Sequence, residues 1–172
     1  AFQGNWFVST PVVGDYEDAF VRELVQHIDA SYRTLAQRQS RGIFGHSMGG
    51  YGAVYLAMHY PEVYAAVYGH DATALQFEAF SYWSQPATQG TALYATHDWG
   101  AFLASEMWVK MDFADACTFS PNPGSPPFYT DWLWVEEGGE LKRDETVWQR
   151  WQAFDPTDLI PQLRDNLLQL RI

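Results

Sequence analysis

Gly45-His46-Ser47-Met48-Gly49, followed by Gly50, is the stretch whose residue types and spacing bear most directly on chemistry. A serine set between glycines suits a sharp strand-to-helix turn. The small residues let neighbouring backbones pack closely around a strained central residue. Such a turn lifts the hydroxyl clear of a sheet and points a helix N-terminus at the same place. Negative charge developing on an attacked carbonyl oxygen then meets backbone N–H groups, of which Met48 supplies one. Ser47 is thus the candidate nucleophile for acyl transfer, with Met48 as oxyanion donor. The plainer alternative is a glycine-rich turn in which Ser47 only caps the helix.

A serine hydroxyl needs a histidine base and an acid to orient it. His27 falls on a helix ahead of the motif, where a surface or core role is expected. His46 sits inside the turn, with its side chain expected to point elsewhere. His59 ends the following helix and suits that helix's C-terminal dipole. His70 with Asp71, and His97 with Asp98, lie downstream near strand ends, where ligand chemistry sits in open sheets. These four are the remaining candidates for base and acid, although neither histidine is followed by the strand and loop that usually deliver a base. Nothing in the sequence makes the two pairs converge as metal ligands, so neither a metal nor a cofactor is expected.

The elements that must position Ser47 are legible around it. Asp15-Tyr16-Glu17-Asp18 places acids in a first helical turn. Phe20, Leu24, Ile28 and Tyr32 recur at helical spacing, widened by Val21 and Val25, which predicts a helix to about Arg33. Arg41 to His46 is a short apolar strand, and Met48 to Tyr60 a small-residue helix stopped by Pro61. Val63 to Gly69 is a continuous apolar run suited to a strand covered on both faces. Helix, strand, helix, strand implies an α/β fold with a parallel sheet.

The later part is less regular. Trp99 to Ala114 is expected to be helical. Ser120 to Pro127 has too many prolines for helix or central strand. Phe128 to Val135 is either a short strand or the wall of a groove, and Gly138-Gly139 turns the chain. Glu145 to Phe154 and Pro156 to Leu170 read as two helices, the second capped by Asp155 with Pro156 at its first position. One domain over residues 1–172 is expected, with an irregular aromatic and proline-rich insertion over 115–140. Phe128, Tyr129, Trp132 and Trp134 in that insertion are the candidate substrate-pocket residues, placed over the Ser47 side of the sheet.

Bulk composition excludes several classes. A net charge of −11 disfavours nucleic acid, which needs clustered Lys and Arg. No apolar run reaches the roughly 18 residues of a membrane span. Cys117 is the one cysteine, so there is neither an internal disulfide nor a cysteine-rich metal site. The stretch from Ala1 to Trp6 lacks a basic segment followed by an apolar one, as a signal peptide would have, and the compartment stays open. Eight Trp hint at an apolar cleft. A sheet with so few strands leaves edges that tend to pair, which points to a homo-oligomer or a complementing chain.

Asp15-Tyr16-Glu17-Asp18, Tyr32-Arg33-Thr34, Arg41 through Ala53 and Tyr60-Pro61-Glu62-Val63-Tyr64-Ala65-Ala66-Val67-Tyr68 resemble the putative-esterase family of α/β-hydrolases. Its members include esterase D-like enzymes, feruloyl esterases and mycolyltransferases. Ser120-Pro121-Asn122-Pro123, Pro126-Pro127-Phe128-Tyr129 and Val147-Trp148 through Asp155-Pro156 are similar to bacterial members. The resemblance implies a parallel-sheet α/β-hydrolase-like fold and hydrolysis of a small-molecule carboxylic ester through Ser47.

The resemblance covers only a central segment of that fold, truncated at both ends. The family has strands, and a first oxyanion loop, ahead of the position of Ala1. Its acid and base follow Ile172, with Leu167 to Ile172 as the lead-in to the acid-bearing strand. Where the family has Ser-Pro after the second strand here, this chain has His70-Asp71. Two other readings stand beside the esterase: a weakly active or non-catalytic domain that is complete only with another chain, and a small aromatic-lined binding module, which leaves the motif unexplained.

Overall fold

The computed structural model describes residues 5–171. A helical run comes first, made of Tyr16–Asp18, a π turn over Ala19–Glu23 and Leu24–Ser31, together called α1. It is followed by β1 (Gly42–His46), α2 (Met48–His59), β2 (Ala66–His70), α3 (Thr88–Thr96), α4 (Trp99–Ala104) and α5 (Met107–Phe119). Then come β3 (Trp134–Glu137), β4 (Glu140–Arg143), α6 (Glu145–Gln152), α7 (Pro156–Leu159) and α8 (Arg164–Leu167). The described chain divides into two compact units, one of residues 6–9, 15–80 and 155–171, the other of residues 5, 10–14 and 81–154.

The first unit carries Ser47. β1 and β2 are parallel and in register from Gly42↔Ala66 to His46↔His70. Alternation along the strands turns Ile43 and Val67 toward α2, where they pack with Ala53, Val54, Ala57 and Leu170. The opposite face carries Phe44 and Tyr68, whose rings stack at 5.7 Å in the open. Arg171 lies parallel to β2, donating its N–H to Ala65 at 3.0 Å and accepting from Val67 at 2.9 Å. Of the strand lead-in expected over Leu167 to Ile172, only Arg171 is bridged to β2; Leu167 ends a helical turn, and Ile172 lies outside the described residues.

α1 begins at Tyr16 and stops at Ser31, two residues short of the predicted end. Its start is fixed from a distance. Ser9 and Glu17 exchange hydrogen bonds, Ser9 N–H to the Glu17 carboxylate and Glu17 N–H to the Ser9 hydroxyl, both 2.9 Å. This is a capping box closed by a residue eight positions away.

The helix expected from Pro156 to Leu170 is a correction. It is two single turns, α7 and α8, because Pro161 falls between them without a donor N–H. The cap holds as expected: the Asp155 carboxylate accepts from Thr157 N–H at 2.8 Å and Thr157 Oγ1 at 2.6 Å. Its other oxygen takes the Phe77 N–H at 2.6 Å, and the side chain is buried. Asp155→Ala therefore orphans a buried donor and a helix cap together. We expect a loss of about 3 kcal/mol in urea unfolding; an unchanged midpoint would show that water replaces both bonds.

In the second unit, the helix expected over Trp99 to Ala114 is also corrected. It breaks at Ser105 and Glu106, both extended, and resumes as α5 through Phe119. The Ser105 hydroxyl donates to the Phe102 carbonyl at 2.7 Å, competing with the helical ladder. α3 has no counterpart in the sequence reading. Its residues, Thr-Gln-Gly-Thr-Ala-Leu-Tyr-Ala-Thr, carry almost no apolar periodicity.

Ser120 to Pro127 is a loop, as its prolines predict. Of Phe128 to Val135, expected as a short strand or a groove wall, only Trp134 and Val135 are in a strand. β3 and β4 form an antiparallel hairpin turned by Gly138 and Gly139, both at positive φ. The core of this unit is aromatic, with Phe113 packed on Phe128 at 4.4 Å and on Trp132 at 4.6 Å. Among the described residues no helix is long and apolar enough to cross a membrane.

Candidate active site

β1 ends at His46, and the next residue turns the chain. Ser47 has φ 54° and ψ −123°, a conformation an L-residue holds only when its surroundings impose it. Three segments impose it. Ser47 N–H donates to the His70 carbonyl at 3.1 Å, joining the turn to the end of β2. The Ser47 carbonyl accepts from Gly50 and Tyr51 of α2, at 2.9 and 3.2 Å, and from Thr73 beyond β2 at 3.2 Å.

The glycines of the motif differ in what they do. A Cβ on Gly45 would lie 1.8 Å from the Gly49 carbonyl oxygen, and one on Gly50 would lie 2.7 Å from the Ala72 Cβ. Gly49 has open space where its Cβ would be. Close approach of strand, helix and the following loop thus rests on Gly45 and Gly50.

The Ser47 side chain is half-buried and makes no capping hydrogen bond to α2. Among the described residues nothing accepts the Met48 N–H, which opens a helix of 12 residues. The free N–H lies at the positive end of the helix, beside the half-buried Ser47.

The histidines fall into three settings. His46 and His70 are cross-strand neighbours on the sheet face away from α2, with ring centroids 5.3 Å apart and both side chains exposed. His70 Nδ1 is 3.3 Å from the Tyr68 hydroxyl. His59 Nδ1 lies 2.9 Å from the Tyr55 carbonyl and its ring packs on Tyr55, the C-terminal role expected of it. His27 is exposed on α1. Among the described residues no histidine hydrogen-bonds the Ser47 hydroxyl.

Asp71 is exposed at positive φ just after β2. His97 and Asp98 belong to the second unit, where each has a local role. His97 is the left-handed C-cap of α3, stacked near Tyr94 and Phe128; Asp98 caps α4 by accepting the Ala101 N–H at 2.9 Å.

Of the four candidate pocket aromatics, Phe128 and Trp132 are buried in the core of the second unit. Trp134 starts β3, and Tyr129 is exposed at φ 57°. Cys117 is buried, its thiol 3.1 Å from the Phe128 carbonyl and pushed up to about 12 by desolvation. Among the described residues no three His, Cys, Asp or Glu side chains are grouped to hold a metal ion. The sequence reading missed Ala72 and Thr73, which clamp the turn from beyond β2; no local signal marks them.

A parallel strand, a one-residue turn in strained conformation and a helix packed back on the sheet form a unit of α/β-hydrolase-like architecture. A family model described as putative esterase matches residues 9–172, and the chain belongs to that family, which places it among hydrolases of esters. No curated protein matches the chain.

Proposed function

We propose that this protein hydrolyses carboxylic esters through a covalent acyl-enzyme on Ser47. The observation that carries this reading is the pairing of the strained, uncapped Ser47 with the unused Met48 N–H at the head of α2. In this scheme Ser47 Oγ adds to the ester carbonyl carbon and its proton passes to a water molecule. The oxyanion sits against the Met48 N–H, and collapse expels the alcohol. Water then attacks the acyl-serine, releasing the acid and restoring the hydroxyl.

With no described histidine on the hydroxyl, the proton of Ser47 has only solvent to accept it, and a neutral serine is a poor nucleophile. The isolated chain is accordingly a slow esterase in which the unassisted Ser47 hydroxyl, aided by the Met48 N–H and substrate binding, still forms the acyl-enzyme. That same observation favours a second reading, a domain that keeps the turn as scaffold without turnover.

An active-site-directed organophosphonate separates the two. Mass spectrometry of the labelled chain is expected to find one adduct, on Ser47 in preference to the other serines. Labelling spread evenly over exposed serines, or none on the folded chain, would leave the scaffold reading in place.

A further inference from the structure

α5 carries two carboxylates one turn apart, Asp112 and Asp115, that meet consecutive aromatic residues of the second unit. Asp115 is buried and accepts the Trp83 indole N–H at 2.8 Å. Asp112 meets the Tyr82 hydroxyl, which lies 2.7 Å from Asp112 Oδ1 and 3.0 Å from the Trp108 carbonyl oxygen. A phenol has one proton to donate, so it serves one of these two acceptors well at a time. With Asp112 ionised, the charged acceptor takes that proton in preference to the neutral carbonyl. With Asp112 protonated, its own O–H donates to the Tyr82 oxygen, and the phenol proton is released to the Trp108 carbonyl. Both short distances are then hydrogen bonds at once.

The surroundings favour the protonated form. On α5 the residues three and four positions from Asp112 are Trp108, Val109, Asp115 and Ala116. α3 contains no charged residue and meets Asp112 through Gly90, where a Cβ would lie 3.2 Å from Asp112 Oδ2. Asp112 and Asp115 line one small cavity with Tyr82, Trp83, Trp132 and Trp151, and no Lys, Arg or His is among the described residues that line it. The titratable groups facing Asp112 are thus Tyr82 and Asp115, and neither supplies positive charge. Burial holds the Asp112 carboxyl above the ordinary aspartate range, although the Tyr82 hydrogen bond pulls the other way.

We propose that Asp112 and Tyr82 form a proton-operated latch on α5. A proton taken from solvent by Asp112 turns one contact into a chain, from Asp112 O–H to the Tyr82 oxygen and from Tyr82 O–H to the Trp108 carbonyl. The chain fastens the segment around Tyr82 to the first turn of α5, and loss of the proton releases the second link. The folded protein keeps this proton to higher pH than the unfolded chain. The latch therefore contributes its full stability below the unfolded aspartate pKa of about 3.9, and loses it as pH rises through the folded value. Its members all lie in the second unit, apart from the chemistry of Ser47.

Two measurements test the latch. In the folded parent chain, the Asp112 carboxyl carbon, assigned by NMR through its own Cβ protons, is expected to titrate with a midpoint above that of free aspartate. Tyr82→Phe keeps the ring and removes the hydroxyl, and is expected to move that midpoint further up. Asp112→Asn keeps a donor toward the Tyr82 oxygen and cannot ionise. Its urea midpoint is expected to exceed the parent's at pH 7, with the gap narrowing as pH falls toward 4. A parent midpoint at or below that of free aspartate, a midpoint unmoved in Tyr82→Phe, or an Asp112→Asn variant less stable by the same amount at every pH overturns the proposal. Where the asparagine variant fails to fold, the titration of the parent chain decides.

Discussion

Ser47→Ala is expected to abolish the protein-dependent part of p-nitrophenyl ester hydrolysis, leaving the rate of the buffer alone. Loss of the serine in a fully assembled hydrolase site costs several orders of magnitude. In the isolated chain the absolute fall is smaller because the starting rate is low, but nothing remains to form an acyl-enzyme. The fold tolerates the change: the side chain caps nothing in α2, and all the bonds that hold the turn come from the Ser47 backbone. A variant with unchanged circular dichroism and no turnover is therefore the expected pair of observations. Unchanged turnover by the alanine variant would remove Ser47 from the reaction. A stoichiometric acyl burst from the parent chain, lost in His70→Ala or His97→Ala, would instead show that the chain presents its own base.

The second large effect is on stability. Gly45→Ala places a methyl group 1.8 Å from the Gly49 carbonyl oxygen, a backbone atom that can move only if β1 and α2 separate. We expect a loss of at least about 3 kcal/mol, at the upper end of overpacking costs, and in a marginal domain a failure to accumulate folded protein. Gly49→Ala is the internal control. Its Cβ meets nothing and the position is in the first turn of α2, so neutrality or a gain up to about 1 kcal/mol from helix propensity is expected. Equal urea midpoints for the two variants would mean that the close contact between strand and helix relaxes freely.

These two glycines also show where sequence reading stops. The motif marks both as small, but only the packing distinguishes the one that lets the helix touch the strand from the one that does not. Around them independent sequence signals agree. β1 and α2 are local and strongly patterned, with Ser47 between them and Pro61 after α2, whereas β2 is shifted, Ala66–His70 instead of the expected Val63 to Gly69.

Elsewhere the local signals are weak or the deciding contacts are long-range. α3 is a helix without an apolar stripe, so its existence is decided by packing such as the Trp132 indole donating to Thr91 at 2.9 Å. The break between α4 and α5 turns on a single serine hydroxyl. Pro161 stands in the sequence, and a single helix over Pro156 to Leu170 leaves no place for a residue without an N–H at that point. For the site, residue type picked out Ser47 and Met48. The bond from Thr73 to the Ser47 carbonyl joins residues that share no pattern. The ring contact of His46 with His70 depends on strand register, which a sequence specifies only once both strands are paired.

The backbone around Ser47 has a consequence in time as well as in space. Its N–H is spent on β2, and its carbonyl is shared by two amides of α2 and one of the loop after β2. No one of these segments can fray at the serine without releasing bonds to the others. The amides of Ser47, Gly50, Tyr51 and Thr73 should therefore open as one cooperative block, on the slow scale of sub-global unfolding rather than of loop motion. The Ser47 backbone is thereby held in one orientation on any timescale faster than that opening.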